Sequence, residues 1–554
     1  MSIIKLLKIF CAVLCLIILL SPPSEAKKKF DGVPGKIIYI PLDNRPITDK
    51  QTVEVAQKLG YEVIVPPKDM LGSRDKLGNP ELLWEWLENE ADNYKDLRAA
   101  VISADSMLYG SLVGSRKHDY EPQLIAERAA RFGEFHKDHK NLPIYVFSSI
   151  MRTPRTGALS GHEEPEYYRS YGADIFRYTA LIDKQEIEGL NRREKKEFAF
   201  LEKLIPKNAL SDWMNRRKKN FDANKILIDL AKEKNFNYLL LGRDDNAPYC
   251  QTHLESRYLT KYADKLGKET FQSIAGIDEV GMMMITRAIN ERLNNVPFVF
   301  VRYNWGRGGQ TIPSYSDVTI EESINAAIAA TGAMKVPSPE RADFVLAVNT
   351  NPDGRTFEAG SDLNDGNTRE GAKYFADMVG DYVSKGYKVA VADIAFANGS
   401  DNALMEALRD RGLLFKLKAY AGWNTATNST GFVLSTAELS KMMTDGAVDD
   451  LLLTRYLDDW AYQANVRNTM ARQLTWLRGD GYYGKLGDKM EAVSGRTTAL
   501  LERFVERNFP PFAGSEDLLV VFPWNRMFES DILRGREVMI EIDRLQPHIR
   551  PLKE

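Results

Sequence analysis

Leu239-Leu240-Leu241-Gly242-Arg243-Asp244-Asp245-Asn246 is an apolar run that passes directly into an arginine, two adjacent carboxylates and an amide. A continuous run of this kind suits a strand covered on both faces, as in a parallel sheet flanked by helices. The polar cluster after it suits the carboxyl end of that strand, where such sheets bind ligands. The same pattern recurs along the chain. Ile37-Ile38-Tyr39-Ile40 runs into Asp43-Asn44-Arg45, Val101-Ile102 into Asp105, and Ile274 into Asp278-Glu279. Val299-Phe300-Val301 runs into Asn304-Trp305 and Phe344-Val345-Leu346 into Asn349 and Asn351. Val389-Ala390-Val391 runs into Asp393, and Lys418-Ala419-Tyr420 into Trp423-Asn424. One polar strand end is an ordinary loop; a recurring set reads as the rim of an active site.

Candidate strands lie near 36–41, 61–65, 98–103, 143–149, 237–242, 271–276, 297–302, 342–348, 387–393 and 416–420, with helical patterns between them such as Thr52 to Leu59 and Met283 to Leu293. Alternation of this kind implies an α/β fold, a parallel sheet with right-handed crossovers. These strands are too many for a bare eight-stranded barrel. They favour a (β/α) barrel with additions over two doubly wound domains divided in the Pro-containing stretch Met334 to Pro339. The expected divisions are an α/β catalytic region over 36–333, a second α/β portion over 340–435 and a mainly helical C-terminal region over 436–554. The charged stretch from Lys184 to Lys234 reads as a solvated helical hairpin inserted between strands.

The 554 residues include 44% hydrophobic and 27% charged side chains, enough for a large core, and the net charge of −3 argues against nucleic acid or an anionic membrane surface as partner. Lys5 and Lys8 precede an apolar stretch from Ile9 to Leu20, and Ser24-Glu25-Ala26 places small residues for cleavage. Residues 1–26 thus read as a signal peptide, so the expected location is secreted or cell envelope, with no stable membrane insertion after cleavage. Loss of that segment removes Cys11 and Cys15 and leaves Cys250 alone, so no internal disulfide is expected. Cys250 reads as a buried bystander.

Adjacent carboxylates are the most specific chemical signal. Two like charges side by side resist simultaneous ionisation, so one tends to keep its proton near neutral pH, as a general acid requires. Adjacent pairs fit substrate-assisted glycoside hydrolysis, where the sugar's acetamido group is the nucleophile. On this reading Asp244 orients the acetamide and Asp245 is the acid/base, with Asp278 and Glu279 as the reserve pair. The expected substrate-binding residues are Asp43, Asn44, Arg45, Asp105, Tyr109, Arg243, Asn246, Asn304, Trp305, Asn349, Asn351, Asp393, Asn398, Trp423 and Asn424, amides and charges for hydroxyls and aromatic faces for sugar rings. Arg45, Arg152, Arg155, Arg243 and Arg302 either neutralise the acids or, facing the pocket, bind an acidic sugar.

No cofactor and no metal are expected. A competing use of the acids is an oxygen-rich site for magnesium or calcium in a hydrolase of phosphate or amide bonds. A non-catalytic saccharide-binding protein is the third reading. Gly306-Arg307-Gly308-Gly309 lacks the Lys-Ser/Thr of a P-loop, and no Gly-x-Ser-x-Gly elbow occurs. Oligomeric state is not legible.

Pro41-Leu42-Asp43-Asn44-Arg45-Pro46, Gly276-Ile277-Asp278-Glu279-Val280-Gly281, Ala421-Gly422-Trp423-Asn424-Thr425 and Pro523-Trp524-Asn525-Arg526 resemble a large uncharacterised bacterial family, a domain of unknown function. The resemblance covers nearly the whole mature chain. It implies a bacterial origin and one integrated unit, and it carries no activity.

Overall fold

The computed structural model describes residues 34–156, 163–367, 369–474, 476, 481–512 and 514–545; the expected signal peptide lies outside them. Continuous Val, Ile and Leu runs form buried parallel strands, for both faces of each sheet carry helices. The first sheet comprises β1 (Lys36–Ile40), β2 (Glu62–Ile64), β3 (Leu97–Ser103), β4 (Ile144–Ile150), β5 (Tyr238–Arg243) and β6 (Phe271–Ala275), in the order β2-β1-β3-β4-β5-β6. The second comprises β7 (Phe298–Tyr303), β8 (Met334–Lys335), β9 (Phe344–Asn349), β11 (Val389–Asp393) and β13 (Ala419–Ala421), in the order β13-β11-β9-β7-β8. Two short pairs complete the strands: β10 (Phe357–Glu358) with β12 (Phe396–Ala397), and antiparallel β14 (Leu518–Val521) with β15 (Asp531–Arg534).

The α/β class, the parallel alternation and the helical C-terminal region are as the sequence predicts. The strands pair as two open sheets, the arrangement ranked second to a barrel from the sequence. Among the described residues no sheet closes, and the two orders are those of doubly wound sheets. The change of sheet falls between Ala275 and Phe298, earlier than the stretch 334–339 expected to divide the chain.

One core explains why the sheets stay together. Alternate residues of the first sheet (Ile37, Tyr39, Val101, Phe147, Leu240) and of the second (Val299, Leu346, Val348, Ala390) share a single apolar cluster. Between them lie the helices Lys50–Gln57, Val280–Arg292, Ile320–Ala330 and Ala426–Ser440. The opposite faces are covered separately, Ile38, Ile102 and Val146 on one side and Val345, Ala347 and Val391 on the other. The layers therefore run helix, sheet, shared helices, sheet, helix, and the described residues from Gly35 onward form one unit. The charged insertion is more than a solvated hairpin. Its helix Lys207–Lys232 buries Trp213 and Arg217, and Arg217 donates to the carbonyls of Met151 (2.7 Å) and Arg152 (2.9 Å) just past β4.

Within the shared layer two helices nearly touch. A Cβ on Gly431 would lie 2.5 Å from Cγ of Glu279 and 2.8 Å from its Cβ. Gly431→Ala should destabilise the fold by roughly 1–3 kcal/mol despite the better helix propensity of Ala, whereas Gly446→Ala, which meets open space, should not. Urea midpoints of the two variants test this; equal midpoints would refute the close approach.

Candidate functional site

The carboxyl ends of both sheets open into one cavity of about 310 Å³. Arg45 enters after β1, Thr153 to Thr156 after β4, Asp244 to Asn246 after β5 and Gly276 to Asp278 after β6. From the second sheet come Ser314 and Tyr315 after β7 and Asn424 after β13, and from the short pair comes Asn398 after β12. The C-terminal region closes the space with Tyr483, Trp524, Arg526, Phe528 and Glu529.

Arg45 links these parts. Its guanidinium reaches Asp43 at 2.9 Å and Asp278 at 2.7 Å, all three side chains being buried. Asn424 donates to the other oxygen of Asp278 at 3.3 Å. The ring of Trp524 lies 5.3 Å from the Arg45 guanidinium carbon and 5.1 Å from that of Arg526, and its indole N–H donates to Asn44 at 2.7 Å. Four segments separated by hundreds of residues thus meet at one point.

A second network surrounds Glu163. Its carboxylate takes hydrogen bonds or ion pairs from Arg116 (2.9 Å), Arg152 (3.0 Å) and Arg526 (2.6 Å). Each of these arginines holds a further acid. Arg116 binds Asp244, Arg152 binds Glu164 (2.7 Å) and Asp245 (3.0 Å), and Arg526 binds Glu529. The concentrated positive charge holds the Glu163 carboxyl well below its usual range, against the opposing effect of burial.

Asp245 and Glu279 are displaced the other way. Burial, reinforced by neighbouring Asp244, pushes Asp245 up to about 6, although 27% of its side chain still faces the cavity. Burial, with Asp278 beside it, pushes Glu279 up to about 8, and Asn428 donates to it beneath the cavity floor. The backbone is strained at the same place. Of the six described non-glycine residues with positive φ, Lys234 and Asn294 follow helix ends, an ordinary position for this conformation. The others are Asp245, Tyr315 and Asn398 in the cavity lining and Asn525 between Trp524 and Arg526. Such strain costs about 1–3 kcal/mol per residue and concentrates at functional sites.

A family model described as "Protein of unknown function (DUF4127)" matches residues 37–533. The chain belongs to this family. The match runs from β1 into β15, so it includes both sheets and the C-terminal segment that closes the cavity. No curated protein and no solved structure matches the chain.

Within this family member, the structure brings Arg45, Arg152, Arg155, Asp244, Asp245, Asn246, Asp278, Asn398 and Asn424 to the cavity and leaves the other expected residues outside its lining. Asp43 and Asn44 act behind it, through Arg45 and Trp524, and Glu279 lies under the floor. Asp105 accepts from the backbone (2.7 Å) and hydroxyl of Ser149, fastening β3 to β4, and burial pushes it up to about 6. Tyr109 stacks on His118, and Arg243 pairs with Asp317 at 2.7 Å. Asn304, Asn349 and Asp393 bond in a row, Asn351 caps the carbonyls of Arg355 and Ala395, and Trp423 packs on Phe528. Trp305 is exposed beyond the cavity.

Sequence reading missed Arg116, Glu163, Tyr315, Tyr483 and Phe528, which no apolar run announces; Trp524 and Arg526 carried a signal in the motif after the last run. Among the described residues no group of three or more His, Cys, Asp or Glu is placed to hold a metal ion. Cys250 is buried, and His253 pairs with Asp183 at 2.6 Å.

Removing the Arg45 charge should leave two buried carboxylates without their shared partner. Arg45→Met should therefore lose roughly 3–5 kcal/mol of stability, and adding Asp278→Asn should restore part of it. A loss below about 1 kcal/mol in urea titration would refute that role. The raised carboxyls give a second expectation. A folded chain that keeps protons the unfolded chain releases loses stability as pH rises through the folded values. His118, pushed down to about 4 by burial, acts in the opposite sense below pH 6.5, so the informative window is pH 6.5 to 8.5. There stability should fall with pH, and Glu279→Gln should flatten the slope by up to about 1.4 kcal/mol per pH unit. An unchanged slope would exclude a protonated Glu279.

Proposed function

We propose that the protein is an exported glycoside hydrolase acting on an extracellular or cell-wall saccharide, with Asp245 as proton donor. The observation that carries this reading is Asp245 itself: a cavity-facing carboxyl that keeps its proton to about pH 6 beside a second carboxylate, Asp244, paired with Arg116. A proton donor with a value near the working pH is what cleavage of a glycosidic bond needs. Tyr315, Tyr483, Trp524 and Phe528 supply aromatic surface in the lining, and Asn246, Asn398, Asn424 and Asn428 supply amides for hydroxyl groups.

The charges favour a neutral or N-acetylated sugar. Arg45, Arg116, Arg152 and Arg526 are each committed to carboxylates and balance the acids, while Arg155, exposed at the lining, lies over the Phe176 ring at 5.7 Å. In the substrate-assisted version, Asp244 accepts a hydrogen bond from the acetamide N–H of an N-acetylhexosamine. The acetamide oxygen attacks the anomeric carbon while Asp245 gives its proton to the departing glycosidic oxygen. Water then opens the cyclic intermediate, and the ionised Asp245 takes the proton from that water. Export follows from the basic and apolar pattern of residues 1–26. Among the described residues no helix is long and apolar enough to cross a membrane.

The mature protein should release aryl groups from an N-acetylhexosaminide in the presence of chelator. Asp245→Asn should lower kcat/KM at least about 100-fold, and wild-type activity should decline as pH rises above about 6. An Asp245→Asn variant of full activity, or a wild-type enzyme inert on every glycoside of a broad panel, would sink the proposal.

A further inference from the structure

The connection between β7 and the helix Ile320–Ala330 exposes three large apolar side chains, Trp305 at 48%, Ile312 at 49% and Tyr315 at 37%. This exposure is built on a pinned backbone. The Trp305 N–H donates to its neighbour Asn304 (2.9 Å), whose own amide holds Asn349 (3.1 Å) and the carbonyls of Thr350 (3.3 Å) and Gly371 (3.2 Å). Farther on, the Arg307 N–H donates to the Pro352 carbonyl at 3.0 Å and the Ile320 N–H to Thr311 at 2.8 Å. These ties fix the backbone of the loop while its aromatic side chains stay exposed, the arrangement of a binding loop held on a rigid scaffold.

Both ends of the connection lead somewhere. Tyr315 lines the cavity, its hydroxyl donates to Glu358 at 3.1 Å, and its carbonyl accepts from the backbone of Asn246 at 3.4 Å, next to Asp245. At the other end, Nε1 of Trp305 is 3.7 Å from the point where a side chain on Gly371 would begin. Tyr374, 46% exposed, stands three residues farther along the helix Glu370–Ser384, on the same face as Gly371. Tyr315 thus borders the cavity, and Trp305 and Tyr374 are exposed aromatic side chains outside its lining.

We infer that this connection is the outer part of a saccharide-binding groove, in which Tyr315 borders the reacting unit and Ile312, Trp305 and Tyr374 carry further sugar rings, so that the ligand is a polymer chain. The inference rests on the glycoside hydrolase reading and adds to it the length of the substrate. Flat apolar ring faces match pyranose C–H surfaces, and their placement outside the cavity makes their contribution depend on chain length.

The test is binding and hydrolysis of dimers and hexamers of a panel that includes N-acetylglucosamine, glucan and xylan oligomers, with wild type, Trp305→Ala and Tyr374→Ala. Wild type should prefer the hexamer of its substrate over the dimer by about tenfold in Kd or KM, and in Trp305→Ala this ratio should collapse towards one. Both substituted side chains are exposed, and unchanged urea midpoints confirm that the variants fold. Equal affinity of wild type for dimer and hexamer, or a ratio unaltered in both variants, would overturn the inference and leave the glycosidase reading standing. A wild type that neither binds nor cleaves any member of the panel would overturn both.

Discussion

Arg45 is the constraint on which the site depends. A guanidinium buried between Asp43 and Asp278 is tolerable only while both carboxylates stay in place, because removing one partner leaves an uncompensated charge in a medium that solvates it poorly. The first strand end, the start of the helix Val280–Arg292 and Trp524 are therefore held to a common geometry. Charges that are costly to bury contribute less to net stability than to uniqueness of arrangement here. They determine which loops can meet at the cavity.

The polar strand ends divide into two kinds. In the second sheet Asn304 donates to Asn349, Asn349 to Asp393, and the Tyr420 hydroxyl to Asp393, so one hydrogen-bonded row crosses β7, β9, β11 and β13. Burial, reinforced by the neighbouring acid Asp401, pushes Asp393 up to about 7. Asp105 does the equivalent work between β3 and β4. These groups satisfy one another and hold the sheet ends in register. Asp245, Asp278 and Asn424, by contrast, line the cavity, and Asp245, Tyr315 and Asn398 of that lining have left-handed backbone.

Protonation follows the same division. Where guanidinium groups crowd a carboxylate, as around Glu163, it stays ionised; where a second acid and burial dominate, as at Asp245 and Glu279, a proton is retained. Two adjacent residues at the end of β5 thus meet different neighbours. Asp244 is bound by Arg116, and Asp245, paired with Arg152, keeps its cavity-facing surface.

The strands were legible because burial on both faces demands unbroken apolar runs, and Leu239-Leu240-Leu241 or Ile37-Ile38-Tyr39-Ile40 announce that demand locally. The helices were legible from their periodicity, and the two carboxylate pairs from their adjacency. Family membership was written in Pro41 to Pro46, Gly276 to Gly281, Ala421 to Thr425 and Pro523 to Arg526. Whether the strands close a barrel or form two sheets was not, since the same alternation of β and α serves both and only the order of pairing separates them. Nor could the sequence tell Asp105 and Asp393, which staple neighbouring strands, from Asp245 and Asp278, which face the cavity; each follows an apolar run in the same way. Arg116, Glu163, Tyr483 and Phe528 left no local signal at all. By itself the sequence determined the elements and the chemistry available at their ends, because those follow from each residue's own side chain and its near neighbours. The tertiary structure alone decided which ends share a cavity and which acid keeps its proton, because both depend on distances between residues far apart in the chain.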